Sequence, residues 1–203
     1  MNLLSHLEAG LILVCGIALM AILFFLSIFY RYNKKILYLG SAIGLVCFFT
    51  FAYNVIIINF TDSMPKGIYK LQKENSYNKG DIIVFCPDER EPFRIARERL
   101  YFGDYGRCKE SIPLIKRIIA TQGDTITLKQ EGVILNQHLL PHTQTKEKDS
   151  QGRELKQASF NNFKLGQNDF FVLNDHSNSF DSRYFGVIHK EMIVAKAKLI
   201  IGW

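Results

Sequence analysis

Two long apolar stretches near the start of the chain predict two membrane-spanning helices. Residues 9–30 carry no charged side chain, and residues 36–60 are interrupted only by Ser41, Thr50, Asn54 and Asn59. At about 1.5 Å per helical residue, roughly 20 residues cross the ~30 Å hydrocarbon core of a bilayer. We therefore expect spans at about residues 9–30 and 36–58, within a membrane anchor of residues 1–60.

The charges around these stretches predict which way the anchor faces. Arg31, Lys34 and Lys35 lie in the short loop 31–35, whereas no Lys or Arg precedes Glu8. Cationic loops stay in the cytoplasm, so the part of the chain after Phe60 is expected on the opposite side, which in a bacterium is the periplasm or the cell exterior. The alternative is a cleaved signal peptide followed by a buried helix. The first stretch is too long for a signal peptide's apolar region, and no basic segment precedes it.

The rest of the chain, residues 61–203, alternates short apolar runs with turn residues and predicts a mostly β domain. A short helix is expected over residues 90–99, and the polar segment 143–157 is expected to form an exposed loop. The expected strands are Gly67–Leu71, Asp81–Cys86, Leu114–Ala120, Thr125–Lys129, Gly132–Asn136, Phe170–Asn174 and Met192–Ile201.

Composition excludes several classes of protein. With 48% hydrophobic and 22% charged residues, the chain is neither disordered nor collagen-like. Three cations against Glu8 give the anchor +2 of the total charge of +6, which leaves +4 for residues 61–203. That balance is mildly basic and contains no long Lys/Arg run, so a nucleic-acid partner is not expected.

The four cysteines separate into two groups. Cys15 and Cys47 fall within the apolar stretches, where they are expected to pack as small apolar residues. Cys86 and Cys108 are the two in the β domain, and an oxidising compartment favours a disulfide between them. Two such cysteines without a CxxC pattern make a poor zinc site.

Three polar segments carry candidate chemistry. Ser63 follows the second apolar stretch and is followed by Pro65 and Gly67, which by themselves describe an ordinary turn. Lys116 lies among apolar residues in an expected strand, where burial would lower the pKa of its amine and make it a base. Without burial, Lys116 would be a solvated strand residue.

The third segment, residues 169–186, passes from an apolar strand into a dense polar loop and ends in an aromatic residue and glycine. Asp181 and Arg183 are placed for an ion pair that holds this loop. Ser179 or Ser182 is placed to hydrogen bond with a nearby lysine.

Together the three segments resemble the S26 signal peptidases, and within them the conjugative-transfer (TraF) branch. Residues 63–69 (Ser-Met-Pro-Lys-Gly-Ile-Tyr) look like the nucleophile segment of the family. Residues 113–124 are similar to its lysine box, and residues 181–186 match its C-terminal box. The Cys86 and Cys108 pair also resembles that branch. The resemblance covers about residues 55–200, with the motifs in the family's order.

The resemblance implies a signal-peptidase-like antiparallel β catalytic domain that works as a Ser–Lys dyad peptidase. Ser63 would be the nucleophile and Lys116 the general base. The Ser63 N–H would help to hold the oxyanion. Neither a metal nor a cofactor enters this chemistry. The supporting residues implied are Thr61 for the oxyanion, Ser179 to orient the lysine, and Asp181 with Arg183 as structural residues.

The chain departs from the family pattern in places. Pro65 follows Met64 directly, which favours the conjugative branch over general signal peptidase I. Leu173-Asn174-Asp175 stands where the family has Gly-Asp-Asn, and Gln122 where Pro is common.

The histidines carry less weight. His138 and His142 are separated by Pro141, which interrupts any helix, so a metal site is not expected. His176 would serve a histidine-based triad, which no family motif supports.

By resemblance, the expected function is processing of exported precursors, above all maturation of a conjugative pilin, with cyclisation as one outcome. The expected partners are membrane lipid, the precursor protein and the conjugation apparatus. The alternatives are a general signal peptidase, a non-catalytic membrane-anchored component of the apparatus, and a regulator that cleaves only itself. The last would call for a DNA-binding segment, and none is apparent in the sequence.

Overall fold

The computed structural model describes residue 22 and residues 34–103, 106–109, 111–174, 176 and 178–203. Apart from residue 22, the predicted first span lies outside this part of the chain, as do residues 31–33 of the predicted loop. Cys15 also lies outside it. The chain divides into two compact units, residues 1–54 and 55–203.

Helix α1, Lys34–Val55, accounts for most of the second apolar stretch. It is the one helix, among the residues that the structure describes, long and apolar enough to cross a membrane. Side chains such as Leu39 and Phe48 are more than half exposed along it. Exposed apolar area costs roughly 25 cal/mol per Å² in water, so this helix supports membrane association of the chain.

The helix ends three residues earlier than predicted, because the apolar stretch changes structure at Ile56. Strand β1, Ile56–Asn59, pairs antiparallel with β2, Gly67–Gln72, with Ile56 opposite Lys70 and Asn59 opposite Gly67. Three consecutive isoleucines favour a strand, since their branched side chains are restricted in a helix. Hydrophobicity alone did not reveal this boundary.

Two antiparallel sheets form the unit of residues 55–203. After β1 and β2, its elements are β3 Ile82–Phe85, α2 Glu91–Glu98, β4 Leu114–Ala120, β5 Thr125–Lys129, β6 Gly132–Leu135, β7 His138–Leu139, β8 Phe163–Lys164, β9 Asp169–Leu173, α3 Ser182–Phe185, β10 Ile188–His189, a 3-10 helix Lys190–Met192 and β11 Ile193–Gly202. The larger sheet has the strand order β1-β2-β11-β3-β4-β9-β10, and the smaller β7-β6-β5-β8.

Strand β9 joins two of the buried clusters because it is covered on both faces. Phe170 and Val172 pack with Phe85 and Phe93, whereas Phe171 and Leu173 pack below the smaller sheet. A third cluster contains Met64, Tyr69, Val84, Ile115 and Ala197. It draws on the loop after β1 and on strands β2, β3, β4 and β11, so the segment that holds Ser63 is anchored to the larger sheet.

Gly67 permits a close approach between β2 and β11. A Cβ at this position would lie 2.1 Å from the carbonyl oxygen of Ile201, and φ is +154°. A side chain cannot be accommodated there without moving the backbone of β11. The glycine therefore fixes the start of β2, four residues after Ser63.

The polar segment 143–157 is the mostly exposed loop that the sequence predicts, and a few of its side chains are held by hydrogen bonds to the rest of the fold. Thr143 is buried, and its hydroxyl accepts from the Val133 N–H at 2.9 Å and donates to the Leu140 carbonyl at 2.8 Å. Asp149 accepts from the Tyr101 hydroxyl at 2.6 Å. Polar side chains pack here because their hydrogen bonds are satisfied inside the fold, which polarity along the chain does not indicate.

Cys86 and Cys108 are joined by a disulfide, with Cα atoms 5.5 Å apart. Cys86 directly follows β3, and the bridged segment contains α2. The disulfide ties the segment that contains α2 to the end of β3, the strand that pairs with β4.

Candidate active site

The Ser63 segment is a loop between β1 and β2 with its side chains anchored at several points. Met64 is 5% exposed in the third cluster, and the Tyr69 hydroxyl donates to the Pro65 carbonyl at 2.6 Å. Ser63 itself is half-buried, with its Oγ 3.1 Å from Thr61 Oγ1. The loop thus presents two neighbouring hydroxyl groups.

Asn59, which sequence reasoning did not select, is the polar centre of this loop. The residue is 6% exposed, and its Nδ2 donates to the carbonyls of Thr61, Met64 and Pro65 at 3.0, 2.9 and 3.2 Å. Its Oδ1 accepts from Thr61 Oγ1 at 2.7 Å and from Thr61 N at 3.2 Å. The available signal was an amide within an otherwise apolar run.

Lys116 lies in the middle of β4, which is flanked by β3 and β9 in the larger sheet. It faces Ile83 across the ladder and is only 4% exposed. Burial lowers the pKa of its amine to about 8; Asp181 raises it and Arg183 lowers it further. An amine with this pKa is deprotonated in a useful fraction of molecules near neutral pH.

The Lys116 amine donates to Ser179 Oγ at 2.9 Å. The sequence left Ser179 and Ser182 as alternatives, and the structure separates them. Ser182 Oγ accepts instead from the Val172 N–H at 2.9 Å and thereby holds the turn against β9.

A second missed residue, Asn174, supports the backbone on either side of Lys116. Its Oδ1 accepts from the Arg117 N–H at 3.3 Å, and its Nδ2 donates to the Ile115 carbonyl at 3.3 Å. The side chain therefore spans the lysine position. Asp175, the next residue of the departure from the family pattern, lies outside the described residues.

Asp181 and Arg183 form a buried, two-point ion pair. Arg183 Nε and Nη2 each donate to a different Asp181 oxygen at 2.8 Å. The same guanidinium donates to the Ser179 carbonyl at 3.3 Å and to the Gln144 carbonyl at 2.9 Å. Arg183 therefore holds the residue that contacts Lys116.

The Ser63 and Lys116 segments meet in one region of the fold. Their neighbours Met64 and Ile115 belong to the same buried cluster. The Lys66 ammonium, which hydrogen bonds to Asp62, and to a smaller extent His176 in the loop with Ser179, lower the pKa of Asp62, the residue before Ser63. Among the hydrogen bonds of the described residues, none joins Ser63 Oγ to Lys116 Nζ directly.

None of the histidines that the structure describes hydrogen bonds with Ser63 Oγ or Lys116 Nζ. His138 is exposed in β7, and His176 Nδ1 accepts from the Asn178 N–H at 3.2 Å. Within the described part of the chain, no group of three His, Cys, Asp or Glu side chains is gathered as metal ligands.

A hydroxyl in an anchored turn and a buried amine with a lowered pKa are the groups that nucleophilic catalysis of acyl transfer requires. In such chemistry a hydroxyl supplies the attacking oxygen, and a neutral amine takes its proton. A second hydroxyl next to the first can donate to a developing negative charge.

Comparison with known proteins points the same way. A family model described as signal peptidase, peptidase S26, matches residues 29–203. The chain is 33% identical over 154 residues to the plasmid transfer protein TraF of Escherichia coli, covering 72% of this chain and 82% of that protein. It is 27% identical over 177 residues to an inactive signal peptidase IA of Staphylococcus aureus, covering 82% and 91% respectively.

Among solved structures, a signal peptidase I from Enterococcus faecalis aligns with 64% of this chain and 100% of its own. The TM-score is 0.34 and the sequence identity 17%.

Proposed function

The chain belongs to the signal peptidase S26 family, and on that premise we propose that it is a membrane-bound serine endopeptidase with Ser63 as nucleophile and Lys116 as general base. The observation that carries the proposal is the buried Lys116 amine, whose pKa is lowered to about 8 and which is held by Ser179. A purely structural lysine would keep its charged end in water.

In the first half of the proposed reaction, Ser63 Oγ attacks the carbonyl carbon of the scissile peptide. The neutral Lys116 amine takes the hydroxyl proton as the new C–O bond forms. The resulting oxyanion is held by the Ser63 N–H and the Thr61 hydroxyl. Lys116 then returns the proton to the leaving nitrogen, the C–N bond breaks, and an ester to Ser63 remains.

In the second half, water attacks this ester and gives its proton to Lys116. Collapse of the second tetrahedral intermediate breaks the bond to Ser63 Oγ, which recovers a proton from Lys116. An amine in place of water would form a new peptide bond, so hydrolysis and cyclisation share one acyl-enzyme.

The proposed substrate is a pilin precursor of a conjugative system. Relatives of this chain are named plasmid transfer protein and probable conjugal transfer protein, which supports a role in conjugation. In this proposal the β domain lies in the periplasm of the bacterial inner membrane, anchored by two spans, next to the secretion apparatus. A membrane-anchored site suits precursors that are themselves held in the membrane.

The test is processing of the pilin precursor in cells that carry wild type, Ser63→Ala or Lys116→Ala. Both substitutions should leave precursor unprocessed while membrane levels of the protein stay normal on a blot. Matched controls are Ser76→Ala and Lys129→Ala, which alter an exposed serine and an exposed lysine and should leave processing intact.

Normal maturation with both site variants would reject the dyad and favour the non-catalytic alternative, a membrane-anchored component of the apparatus. If instead the site variants block removal of signal peptides from bulk secreted proteins, the chain is a general signal peptidase.

A further inference from the structure

The contacts of Asn59 fix which way round its amide lies. Nδ2 faces three backbone carbonyls, which can only accept, and Oδ1 faces the Thr61 N–H, which can only donate. Reversing the amide would set oxygen against three oxygens. The position of Asn59 Oδ1 is therefore settled by hydrogen-bond chemistry.

That orientation also settles where the Thr61 proton points. Asn59 Oδ1 has no hydrogen, so the 2.7 Å contact with Thr61 Oγ1 requires the threonine to donate. A hydroxyl has one proton. In the 3.1 Å contact between Thr61 Oγ1 and Ser63 Oγ, the serine must therefore be the donor. Protons run in one direction, from Ser63 to Thr61 to Asn59.

We propose that Asn59 is a positioning residue that acts through Thr61 to orient the Ser63 hydroxyl, an inference that rests on the proposed function. With its proton held by Asn59, Thr61 offers a lone pair to Ser63 and keeps Ser63 Oγ in one rotamer before attack. Because three carbonyls converge on Asn59 Nδ2, the same side chain also holds the loop that carries both hydroxyls.

The arrangement changes once during the reaction. When Ser63 gives its proton to Lys116 and attacks, its hydrogen bond to Thr61 is lost. The Thr61 hydroxyl then turns from Asn59 Oδ1 to the oxyanion, keeping its own proton throughout. Before the reaction, Asn59 Oδ1 thus accepts the hydrogen bond of the Thr61 hydroxyl. That hydroxyl is needed at the oxyanion only once the bond between Ser63 Oγ and the substrate carbonyl carbon begins to form.

The experiment uses the full chain in detergent micelles and an internally quenched peptide with an Ala-x-Ala cleavage site. Cleavage by wild type and its loss in Ser63→Ala establish the reaction first. If Ser63→Ala still cleaves, the proposed function fails. If it is inactive, the Asn59 variants test the inference separately.

Asn59→Ala should lower kcat by roughly 10- to 100-fold, with KM changed less than about twofold, since Asn59 is only 6% exposed. Thr61→Val should act similarly, and Thr61→Ser, which keeps the hydroxyl, should restore most of the rate. The double variant should be no worse than about twofold below the poorer single one, because both act on the same hydroxyl. Independent, multiplying effects would overturn the proposal, as would an unchanged kcat in Asn59→Ala.

Asn59→Asp separates the oxygen from the nitrogen of the amide. It retains an acceptor for Thr61 but loses the donors to the three carbonyls. If the amide oxygen orients Thr61, the kcat of Asn59→Asp should be at least about threefold higher than the kcat of Asn59→Ala. If Asn59 only holds the loop, Asn59→Asp is the poorer enzyme, since it sets a carboxylate against carbonyls.

Should Asn59→Ala fail to fold, Asn59→Asp carries the test with Thr61→Val added to it. If Asn59→Asp lowers kcat, adding Thr61→Val should cost less than it does in wild type, because part of the Thr61 contribution is already lost. A loss as large as in wild type on top of a lowered kcat would mean that Thr61 is not controlled from position 59.

Discussion

The ammonium of Lys116 would have to lose its hydration shell to occupy the place where the structure puts the side chain, 4% exposed and opposite Ile83. Desolvation disfavours the charged form and accounts for most of the fall of the pKa from 10.5 to about 8. Two consequences of this burial can be measured, one in the rate of cleavage and one in stability.

Cleavage should depend on the deprotonated lysine. With a pKa of about 8, about one-tenth of the Lys116 amines are neutral at pH 7. We expect kcat/KM to rise about tenfold per pH unit below pH 8 and to level off above about pH 9. A pH–rate profile with the quenched peptide measures this, and a flat profile from pH 6 to 9 would exclude Lys116 as the base.

Lys116→Met should be inactive but more stable than wild type at neutral pH. The folded state holds fewer protons than the unfolded one between pH 8 and 10.5, so wild-type stability rises with pH across that window. A shift of this size corresponds to about 3 kcal/mol. The advantage of Lys116→Met in unfolding free energy should therefore be largest at pH 7 and shrink by about that amount by pH 10.5.

The control for this stability measurement is a solvent-exposed lysine. Lys129→Met, at an exposed position, should change stability little and equally at both pH values. If the difference in unfolding free energy between Lys116→Met and wild type did not change with pH, as expected for the Lys129→Met control, Lys116 would not be desolvated in the folded protein.

The loop from Asn174 to Gly186 is held by one buried ion pair, Asp181 with Arg183. Asp181 and Arg183 are 0% and 1% exposed, and Arg183 also holds the carbonyls of Ser179 and Gln144. The pair therefore places the serine that contacts Lys116.

Asp181→Ala should destabilise the protein by about 3–5 kcal/mol, since it leaves the Arg183 guanidinium buried without its counter-ion. The double variant Asp181→Ala/Arg183→Met should recover part of that loss because no lone charge stays buried. Thermal unfolding of the single and double variants measures the difference. A double variant less stable than the single one would contradict this account.

The sequence predicts some elements to the residue and misses others for identifiable reasons. Strand β4 and strand β5 match their expected ranges, because apolar runs are bounded there by the turn at Gln122-Gly123-Asp124. Strands β7 and β8 have two residues each, too few for any periodic pattern. Strand β1 was hidden in the apolar stretch, where hydrophobicity is the same for helix and strand.

The candidate site shows the same division. Ser63 and Lys116 were selected because three segments together, in order, resemble the motifs of a known family; taken singly, they describe an ordinary turn serine and a strand lysine. Asn59 and Asn174 were not, since their roles lie in backbone groups that they reach only after folding. A side-chain amide that hydrogen bonds with carbonyl and N–H groups around a reactive residue follows no fixed spacing in the sequence, so no motif identifies it.

For the whole molecule, the Cys86–Cys108 disulfide is the covalent constraint on the β domain. Closing a loop across 22 positions stabilises a protein by about 3 kcal/mol in the chain-entropy account. The double variant Cys86→Ala/Cys108→Ala should lose about this much unfolding free energy. It should remain active below its melting temperature, because Ser63 and Lys116 lie outside the bridged segment.

Cys47→Ala is the control for this experiment. Its thiol is free and exposed on α1, so the substitution should leave both stability and its response to reductant unchanged. If reductant did not change the melting temperature of wild type, the disulfide would contribute little to stability.

The buried lysine also bears on how such a chain evolves. Under the proposed function, position 116 holds a side chain that costs the fold stability, and selection for turnover would keep it there. A gene copy released from that selection would gain stability from almost any apolar replacement at this position. Loss of activity with the fold preserved is therefore an easy evolutionary path, and descendants that follow it would still be recognisable members of the family.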